Sequence, residues 1–206
     1  MASAVVSQQR VEISNKHGEK LVGVLHSTSS NNLVILCHGF RSTKDEKTIL
    51  NLTAALTRDG MSVFRFDFAG NGESEGEFQY GNYRKEADDL HAVVLYFKER
   101  NFKVSAICGH SKGKVEFRVT EDSLMDRLTT DMLAACHAID KQCRILTIHG
   151  SADEIVPSED ALKFNELIPN HKLHIVEGAD HCYTAHQELL ASLVLEFIKS
   201  NQVAAE

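Results

Sequence analysis

The sequence predicts an α/β fold in which a mostly parallel sheet is flanked by helices. Apolar runs of strand length alternate along the chain with longer segments whose apolar residues recur every three to four positions. Such an alternation specifies parallel strands joined by crossover helices. In addition, several strand-like runs end in loops that contain glycine, histidine and aspartate, which is typical of the functional edge of such a sheet.

The first predicted elements are a hairpin, a strand and a helix. Val11–Ser14 and Lys20–His26 flank the turn residues Asn15-Lys16-His17-Gly18, a composition that favours a tight connection. The wholly apolar run Leu33–Cys37 predicts a buried strand. Lys47–Arg58 has an apolar face at helical spacing and predicts the first helix.

The remaining predicted elements continue the alternation. The predicted strands are Met61–Phe66, Val104–Cys108, Arg144–His149 and Lys172–Val176. The predicted helices are Tyr83–Arg100, Ser123–Ile139, Ser158–Ile168 and Ala185–Lys199. A chain of 206 residues with 43% hydrophobic and 25% charged residues is sufficient for one such domain, so residues 1–206 are expected to form a single domain.

Charge and hydropathy exclude several classes of partner. A net charge of −7 argues against nucleic acids and anionic membranes as partners, and the longest apolar runs are too short for a spanning helix. Met1–Gln9 lacks the basic start and long apolar stretch of a secretory signal, so a cytoplasmic location is expected. The five cysteines form no C-x-x-C pair, which favours reduced thiols in a reducing compartment.

The pentapeptide Gly109-His110-Ser111-Lys112-Gly113 follows the predicted strand Val104–Cys108 and has the G-x-S-x-G pattern of a nucleophile on a sharp turn. The two glycines avoid clashes that side chains would make beside the strained serine. Serine is a weak nucleophile alone and needs an imidazole to take its proton and a carboxylate to orient that imidazole. Ser111 is therefore the candidate nucleophile.

Candidates for the carboxylate and the imidazole follow two later strands. Asp153 comes just past Arg144–His149, and His181 just past Lys172–Val176, so the chain order is Ser, Asp, His. Glu154 is a rival for the acid, but position relative to the strand end favours Asp153. Asp180 is expected to shape the turn before His181. His110 and His149 are near the site, but neither is placed as a base that could reach Ser111.

An oxyanion hole requires two backbone N–H donors. Lys112, directly after the serine, would supply one of them. The second is predicted at Phe40, in the loop His38-Gly39-Phe40 that follows the strand Leu33–Cys37. Gly39 would let the backbone come close to the substrate.

Five segments together resemble one known family. They are CHGFRSTKDEKT, FRFDFAGNGESEG, ICGHSKG, IHGSADEIVP and HIVEGADHCYTAH. They are similar to the α/β-hydrolase superfamily, in particular its serine aminopeptidase-like and cinnamoyl or feruloyl esterase-like branch, with plant members of unassigned substrate as the most similar.

The resemblance runs from about Val11 to Ser200. It implies the catalytic residues Ser111, Asp153 and His181, the oxyanion donors Phe40 and Lys112, no cofactor, and a small carboxylic ester as substrate. The acidic glycine-rich turn over Asp67–Ser74 is expected to be structural rather than catalytic.

The chain departs from this family after Gly113. Family members have a helix, a further strand and a cap segment between the nucleophile and the strand that carries the acid. Here only residues 112–122 precede the predicted helix Ser123–Ile139, too few for a helix of about 10–14 residues and a strand of about 5–6 residues. The chain is therefore expected to lack that helix and strand and part of the cap, with residues 114–140 as a cap remnant.

Three interpretations of this departure stay open. The chain is a shortened form, a minimal hydrolase in which another element supports Ser111, or a retained but inactive scaffold. The first is favoured because Gly113 continues directly into the distal part of the cap. Loss of a helix from the sheet would expose apolar surface, so self-association is a further expectation.

The remaining sequence patterns favour a structural role over a binding site. The eleven histidines include no H-E-x-x-H motif, and the strand alternation places His171 and His174 on opposite faces, so no metal site is predicted. The glycines near Asn71 lack the lysine of a phosphate-binding loop and predict a turn. Arg41, Lys44 and Asp45 are expected on a solvated face rather than at the mouth of a pocket.

Overall fold

The computed structural model describes residues 6–110 and 131–200, and it confirms the α/β fold class with helices flanking the strands. The chain divides into two compact units, Met1–Lys112 and Gly113–Glu206. That the two form a single domain stays a prediction.

The first unit contains a five-stranded mixed sheet and two helices. Its elements are β1 (Ser7–Ser14), β2 (Lys20–Ser27), β3 (Asn32–Cys37), α1 (Lys47–Arg58), β4 (Ser62–Phe66), α2 (Tyr83–Lys98) and β5 (Lys103–Gly109). The strand order is β1-β2-β4-β3-β5. The β1/β2 and β2/β4 pairs are antiparallel, whereas β3 pairs in parallel with both β4 and β5. The carboxyl ends of β3, β4 and β5 therefore lie along the same edge.

The predicted hairpin is confirmed, with Ser14 opposite Lys20. The Asn15 N–H donates to the Glu19 carbonyl at 2.9 Å, and Gly18 has a φ of 79°, which glycine adopts without strain. Asn15 also donates from Nδ2 to Oδ1 of the buried Asp89 on α2 at 2.7 Å. This bond ties the hairpin to the helix.

The core of the first unit is built around β3 and β4. Val34, Ile35 and Leu36 are completely buried, because a central parallel strand is covered on both faces. Phe64 of β4 packs on Phe97 of α2, with ring centroids 4.6 Å apart. This packing holds α2 against the sheet.

The second unit contains three helices and a two-stranded sheet in its described part. They are α3 (Met132–His137), β6 (Ile145–Gly150), α4 (Ser158–Leu167), β7 (His171–Val176) and α5 (Gln187–Lys199). The strands β6 and β7 pair in parallel without a register shift, from Ile145 opposite His171 to Gly150 opposite Val176. Their carboxyl ends are therefore adjacent.

The segment after the nucleophile motif lies mostly outside the described residues. The predicted helix Ser123–Ile139 is present as α3 in its described part, where the Asp131 carboxylate caps it by accepting from the Ala134 N–H at 2.9 Å. The predicted shortening at 112–122, and all of the cap remnant before residue 131, fall outside. Within residues 6–110 and 131–200, the larger sheet ends at β5 and β6 pairs with β7 alone.

Across the described ranges, no helix combines the length and the apolar character needed to cross a membrane.

The environment of the buried His26 predicts that the fold becomes less stable in acid. Its Nε2 lies 3.2 Å from the Arg65 Nε donor, so it accepts that hydrogen bond and the ring is neutral. Burial and, secondly, the Arg65 charge lower the pKa of His26 below its usual value. His26 therefore binds a proton more readily in the unfolded chain than in the folded one. The neutral His26 ring is compatible with the fold above about pH 6.5, and the free energy of unfolding decreases as the pH falls below that value.

We expect the free energy of unfolding, measured with urea, to decrease between pH 7.5 and 5.5 by up to about 1.4 kcal/mol per pH unit from this group. The variant His26→Gln keeps an acceptor for Arg65 but does not titrate, so its loss over the same interval should be smaller. Equal losses in both proteins would contradict the assignment.

Candidate functional site

The predicted acid and base are brought together at the carboxyl ends of β6 and β7. His181 Nδ1 lies 2.8 Å from Asp153 Oδ2, and the side chains are 13% and 7% exposed. Because a carboxylate only accepts, the proton between them is on Nδ1, and the neutral ring carries its lone pair on Nε2. This is the tautomer that a general base facing a hydroxyl group needs.

Backbone amides fix the Asp153 carboxylate. Its Oδ1 accepts from the Ile155 N–H at 2.8 Å and the Val156 N–H at 2.9 Å, which leaves Oδ2 for His181. Burial raises the pKa of Asp153, but the Val156 amide, His181 and the Ile155 amide outweigh it, and the net pKa is lowered. Asp153 is therefore ionised at neutral pH.

The rival acid Glu154 and the neighbouring Asp180 have other positions. Glu154 is exposed. Asp180 is also exposed, and its Oδ1 accepts from the Thr184 N–H at 2.7 Å, which shapes the turn that contains His181. The interpretation of Asp180 as a turn residue is therefore confirmed.

Two further hydrogen bonds join the loop that contains Asp153 (the acid loop) to the loop that contains His181 (the base loop). The Ala152 N–H donates to the Ala179 carbonyl at 3.0 Å, and the Gly178 N–H donates to Ser151 Oγ at 2.8 Å. A Cβ at Gly150 would lie 2.2 Å from the Ala179 oxygen, so only glycine permits this approach. The two loops are thus held together independently of the Asp153–His181 contact.

Tyr183 anchors the base loop to β6. Its hydroxyl donates to the Ile148 carbonyl at 2.7 Å, and burial, together with the Asp153 charge, raises the pKa of this hydroxyl. The φ of Tyr183 is 53°, a strained value for a large side chain that persists only where the surroundings enforce it. No sequence pattern singled out Tyr183, since a tyrosine two residues after a histidine carries no signal of its own.

His149 was set aside as a base, yet it lies beside the acid. Its Nε2 is 3.1 Å from the Val156 carbonyl oxygen and 3.7 Å from Asp153 Oδ2. No sequence pattern indicates either contact.

In the first unit, the predicted oxyanion loop is held by His38. This buried ring donates from Nδ1 to the Gly39 carbonyl at 2.7 Å and accepts at Nε2 from the Phe68 N–H at 3.1 Å. The Gly39 carbonyl also accepts from the Ser42 N–H at 3.2 Å. In a trans peptide the N–H points opposite to the carbonyl, so these bonds set the direction of the Phe40 N–H.

The loop His38-Gly39-Phe40 starts beside the G-x-S-x-G motif. Cys37 pairs with Gly109 at the ends of β3 and β5, and the His110 N–H donates to the Cys37 carbonyl at 3.1 Å. The predicted nucleophile Ser111 and the second predicted donor Lys112 lie outside the described residues.

The expectation of a solvated Lys44 is wrong. Its side chain is only 4% exposed, and Nζ lies 2.8 Å from Asp67 Oδ2 and 2.6 Å from Glu73 Oε1. The Lys44 N–H also donates to Asp67 Oδ1 at 2.7 Å. Asp67 directly follows β4 and is fully buried, beneath a turn so close that a Cβ at Gly72 would clash with its carboxylate. A carboxylate buried in this way requires a charged partner.

The structural interpretation of the turn after Asp67 is thereby supported, because the Asp67 carboxylate also accepts from the Glu73 N–H at 3.0 Å. Arg41 and Asp45 are exposed, as expected, although Asp45 also pairs with Arg65 on β4.

Aromatic side chains surround the predicted oxyanion donor. The Phe40 ring makes edge contacts with Phe78 and Tyr80, with centroids 5.6 and 5.4 Å away. The Arg41 guanidinium lies 5.8 Å from the centre of the Phe78 ring. Phe78 is 39% exposed, so this cluster presents apolar surface next to the loop.

All five cysteines are free thiols. Within the described part of the chain, no group of three or more His, Cys, Asp or Glu side chains is arranged to hold a metal ion.

Comparison with known proteins agrees with this architecture. The family model for serine aminopeptidases, S33 (Hydrolase_4), matches residues 28–117, which include the predicted oxyanion loop and the predicted nucleophile motif. A comparison with functionally curated proteins gives no match.

Several solved structures are similar over nearly the whole chain. Est1E from Butyrivibrio proteoclasticus with bound ferulic acid has a TM-score of 0.81 at 23% identity, covering 94% of this chain and 99% of its own. An esterase of Pyrococcus furiosus, Pf2001, has a TM-score of 0.78 at 21% identity, with 95% and 91% covered. The α/β hydrolase GrgF from a Penicillium species has a TM-score of 0.79 at 17% identity, with 94% and 98% covered.

Proposed function

We propose that this chain, which has the α/β-hydrolase fold and is similar to serine aminopeptidases and esterases of that fold, is a serine hydrolase that cleaves small carboxylic esters. The observation that carries the proposal is the Asp153–His181 hydrogen bond of 2.8 Å, formed by residues 28 apart in sequence. An ionised, amide-fixed carboxylate on the Nδ1 side of an imidazole is the orienting half of a catalytic triad.

In the proposed mechanism, Ser111 Oγ attacks the ester carbonyl while His181 Nε2 takes its proton. Asp153 holds the ring in the Nδ1–H tautomer and stabilises the imidazolium that forms. His181 then returns the proton to the departing alcohol, which leaves an acyl group on Ser111. A water molecule, deprotonated by His181, releases the acid in the second step.

The developing oxyanion would be stabilised by the N–H groups of Phe40 and Lys112. The fixed direction of the Phe40 N–H supports the first assignment, because preorganised donors need no rearrangement during the reaction. The hydrogen bond from His110 to Cys37 supports a short distance between this loop and the residue before Ser111.

A small ester is favoured as substrate. Among the similar structures, Pf2001 is an esterase and Est1E has ferulic acid bound, and aromatic rings flank Phe40 in this chain. The proposed chemistry requires no cofactor. We further propose a single cytoplasmic domain over residues 1–206, with 114–140 as the cap remnant, that is able to self-associate.

The second candidate is a non-catalytic scaffold or a shortened inactive isoform. The observation in its favour is the short segment 112–122, where the resemblance to the α/β-hydrolases implies a helix and a strand. Displacement of a nucleophile by about 1 Å is enough to reduce the rate strongly.

The deciding experiment is labelling of the purified protein with a fluorophosphonate probe, with folding checked by circular dichroism. We expect the folded wild-type chain to be labelled and Ser111→Ala to be unlabelled. Ser192→Ala, at an exposed serine of α5, is the matched control and should be labelled normally. A folded wild-type protein that takes no label would overturn the hydrolase proposal and favour the scaffold.

A further inference from the structure

The acid of the proposed triad has a second imidazole beside it. His149 is the penultimate residue of β6, its Nε2 lies 3.7 Å from Asp153 Oδ2, and its side chain is 10% exposed. We propose that His149 is a positioning residue, which fixes the loop that carries Asp153 and orients the carboxylate toward His181. This proposal rests on the proposed hydrolase function.

The first step is the tautomer of His149. Its Nε2 lies 3.1 Å from the Val156 carbonyl oxygen. A carbonyl oxygen only accepts hydrogen bonds, so Nε2 carries the hydrogen and donates it. His149 is therefore the Nε2–H tautomer, whereas His181 is the Nδ1–H tautomer.

The second step concerns Val156, whose backbone N–H and carbonyl groups both form hydrogen bonds to side chains. Its N–H donates to Asp153 Oδ1 at 2.9 Å, and its carbonyl accepts from His149. The hydrogen bond from His149 to the Val156 carbonyl thus connects the two ends of the segment 149–156. The Asp153 carboxylate accepts its hydrogen bond from Val156 within this segment. Loss of the His149 donor would release the residue that orients Asp153.

The third step is electrostatic. The His149 Nε2–H group is also 3.7 Å from Asp153 Oδ2, the oxygen that binds His181 Nδ1. This distance is too long for a hydrogen bond, but the positive end of an N–H dipole still stabilises a carboxylate. The Asp153 side chain is only 7% exposed, so water screens this interaction weakly.

A role in packing alone is the competing explanation, since a buried ring at the end of β6 also fills space. The two explanations differ in what they require of the Nε2–H donor. His149→Phe keeps a ring of similar size without the donor, whereas His149→Gln places an amide N–H near the Nε2 position. His171→Phe is the matched control, because His171 is a partly buried histidine of β7 that bonds Thr147 and Asn165 instead of Asp153.

The experiment combines imidazole nitrogen NMR with steady-state kinetics on a small ester. In the wild-type protein we expect His149 as the Nε2–H tautomer and a protected Nδ1–H proton on His181. In His149→Phe this proton should exchange with water about 10-fold faster or more. In the same variant kcat should fall by about 10-fold to 100-fold, with KM changed little.

His149→Gln should restore most of both properties, and His171→Phe should leave both near their wild-type values. The proposal is overturned if His149→Phe behaves as the wild type, if His149→Gln fails to restore the His181 signal, or if His171→Phe causes the same losses. An Nδ1–H tautomer of His149 in the wild-type protein also overturns it, which covers the case in which the phenylalanine variant does not fold. The NMR results decide these points without turnover, so an inactive wild type would count against the proposed function alone.

Discussion

Asp153→Asn is expected to lower kcat on ester substrates by about 10⁴-fold while leaving the fold intact. The reason lies in the two oxygens of Asp153. Oδ1 accepts from two backbone amides and must remain an oxygen, so the NH₂ group of the asparagine takes the place of Oδ2. That group donates, and it forces His181 to present a lone pair at Nδ1 and a hydrogen at Nε2. In this tautomer His181 cannot take a proton from Ser111.

The measurement is kcat and KM by steady-state kinetics, with the melting temperature followed in parallel. Asp180→Asn is the matched control, because it makes the same change in the exposed residue next to His181. The Oδ1 of Asp180 accepts from the Thr184 amide instead of orienting His181. We expect the control to keep kcat within a few-fold of the wild type. An Asp153→Asn protein that retains full activity, or a control that loses as much, would remove Asp153 from the triad.

The sequence was sufficient to predict the fold class and the strands after which Asp153 and His181 lie. Hydrophobic periodicity locates strands and helices, and parallel strands place their following loops at one edge. The position of Asp153 just past β6 distinguished it from Glu154, and the structure places Asp153 on His181. These predictions succeed because each depends on chain-local patterns and a topology that has few alternatives.

The supporting side chains could not be predicted in the same way. Lys44 stands in a polar loop, where charged residues are normally solvated, and its partners Asp67 and Glu73 follow 23 and 29 positions later. Tyr183 bonds the Ile148 carbonyl 35 positions away. Periodicity indicates which face of an element is buried, but it does not specify which distant polar atoms meet.

Lys44→Met is expected to lower the free energy of unfolding by about 3–5 kcal/mol. Asp67 is completely buried, and the Lys44 ammonium is its charged partner at 2.8 Å. Burial lowers the pKa of Lys44, but its hydrogen bonds with Asp67 and Glu73 outweigh this effect, and the net pKa is raised. Methionine would fill the space of the aliphatic chain, so the loss measures the uncompensated charge rather than a cavity.

Lys16→Met is the matched control for this prediction. Lys16 Nζ is also 2.7 Å from a carboxylate oxygen, that of Asp88, but its side chain is 62% exposed. The two substitutions remove the same group from ion pairs of almost equal length, so burial is the main difference between them. We expect urea denaturation to show little change for Lys16→Met, since an exposed pair is solvated in both states. Similar losses in both variants would mean that the Lys44–Asp67 pair gains nothing from its burial, and that another interaction holds the loop after Phe40 to the end of β4.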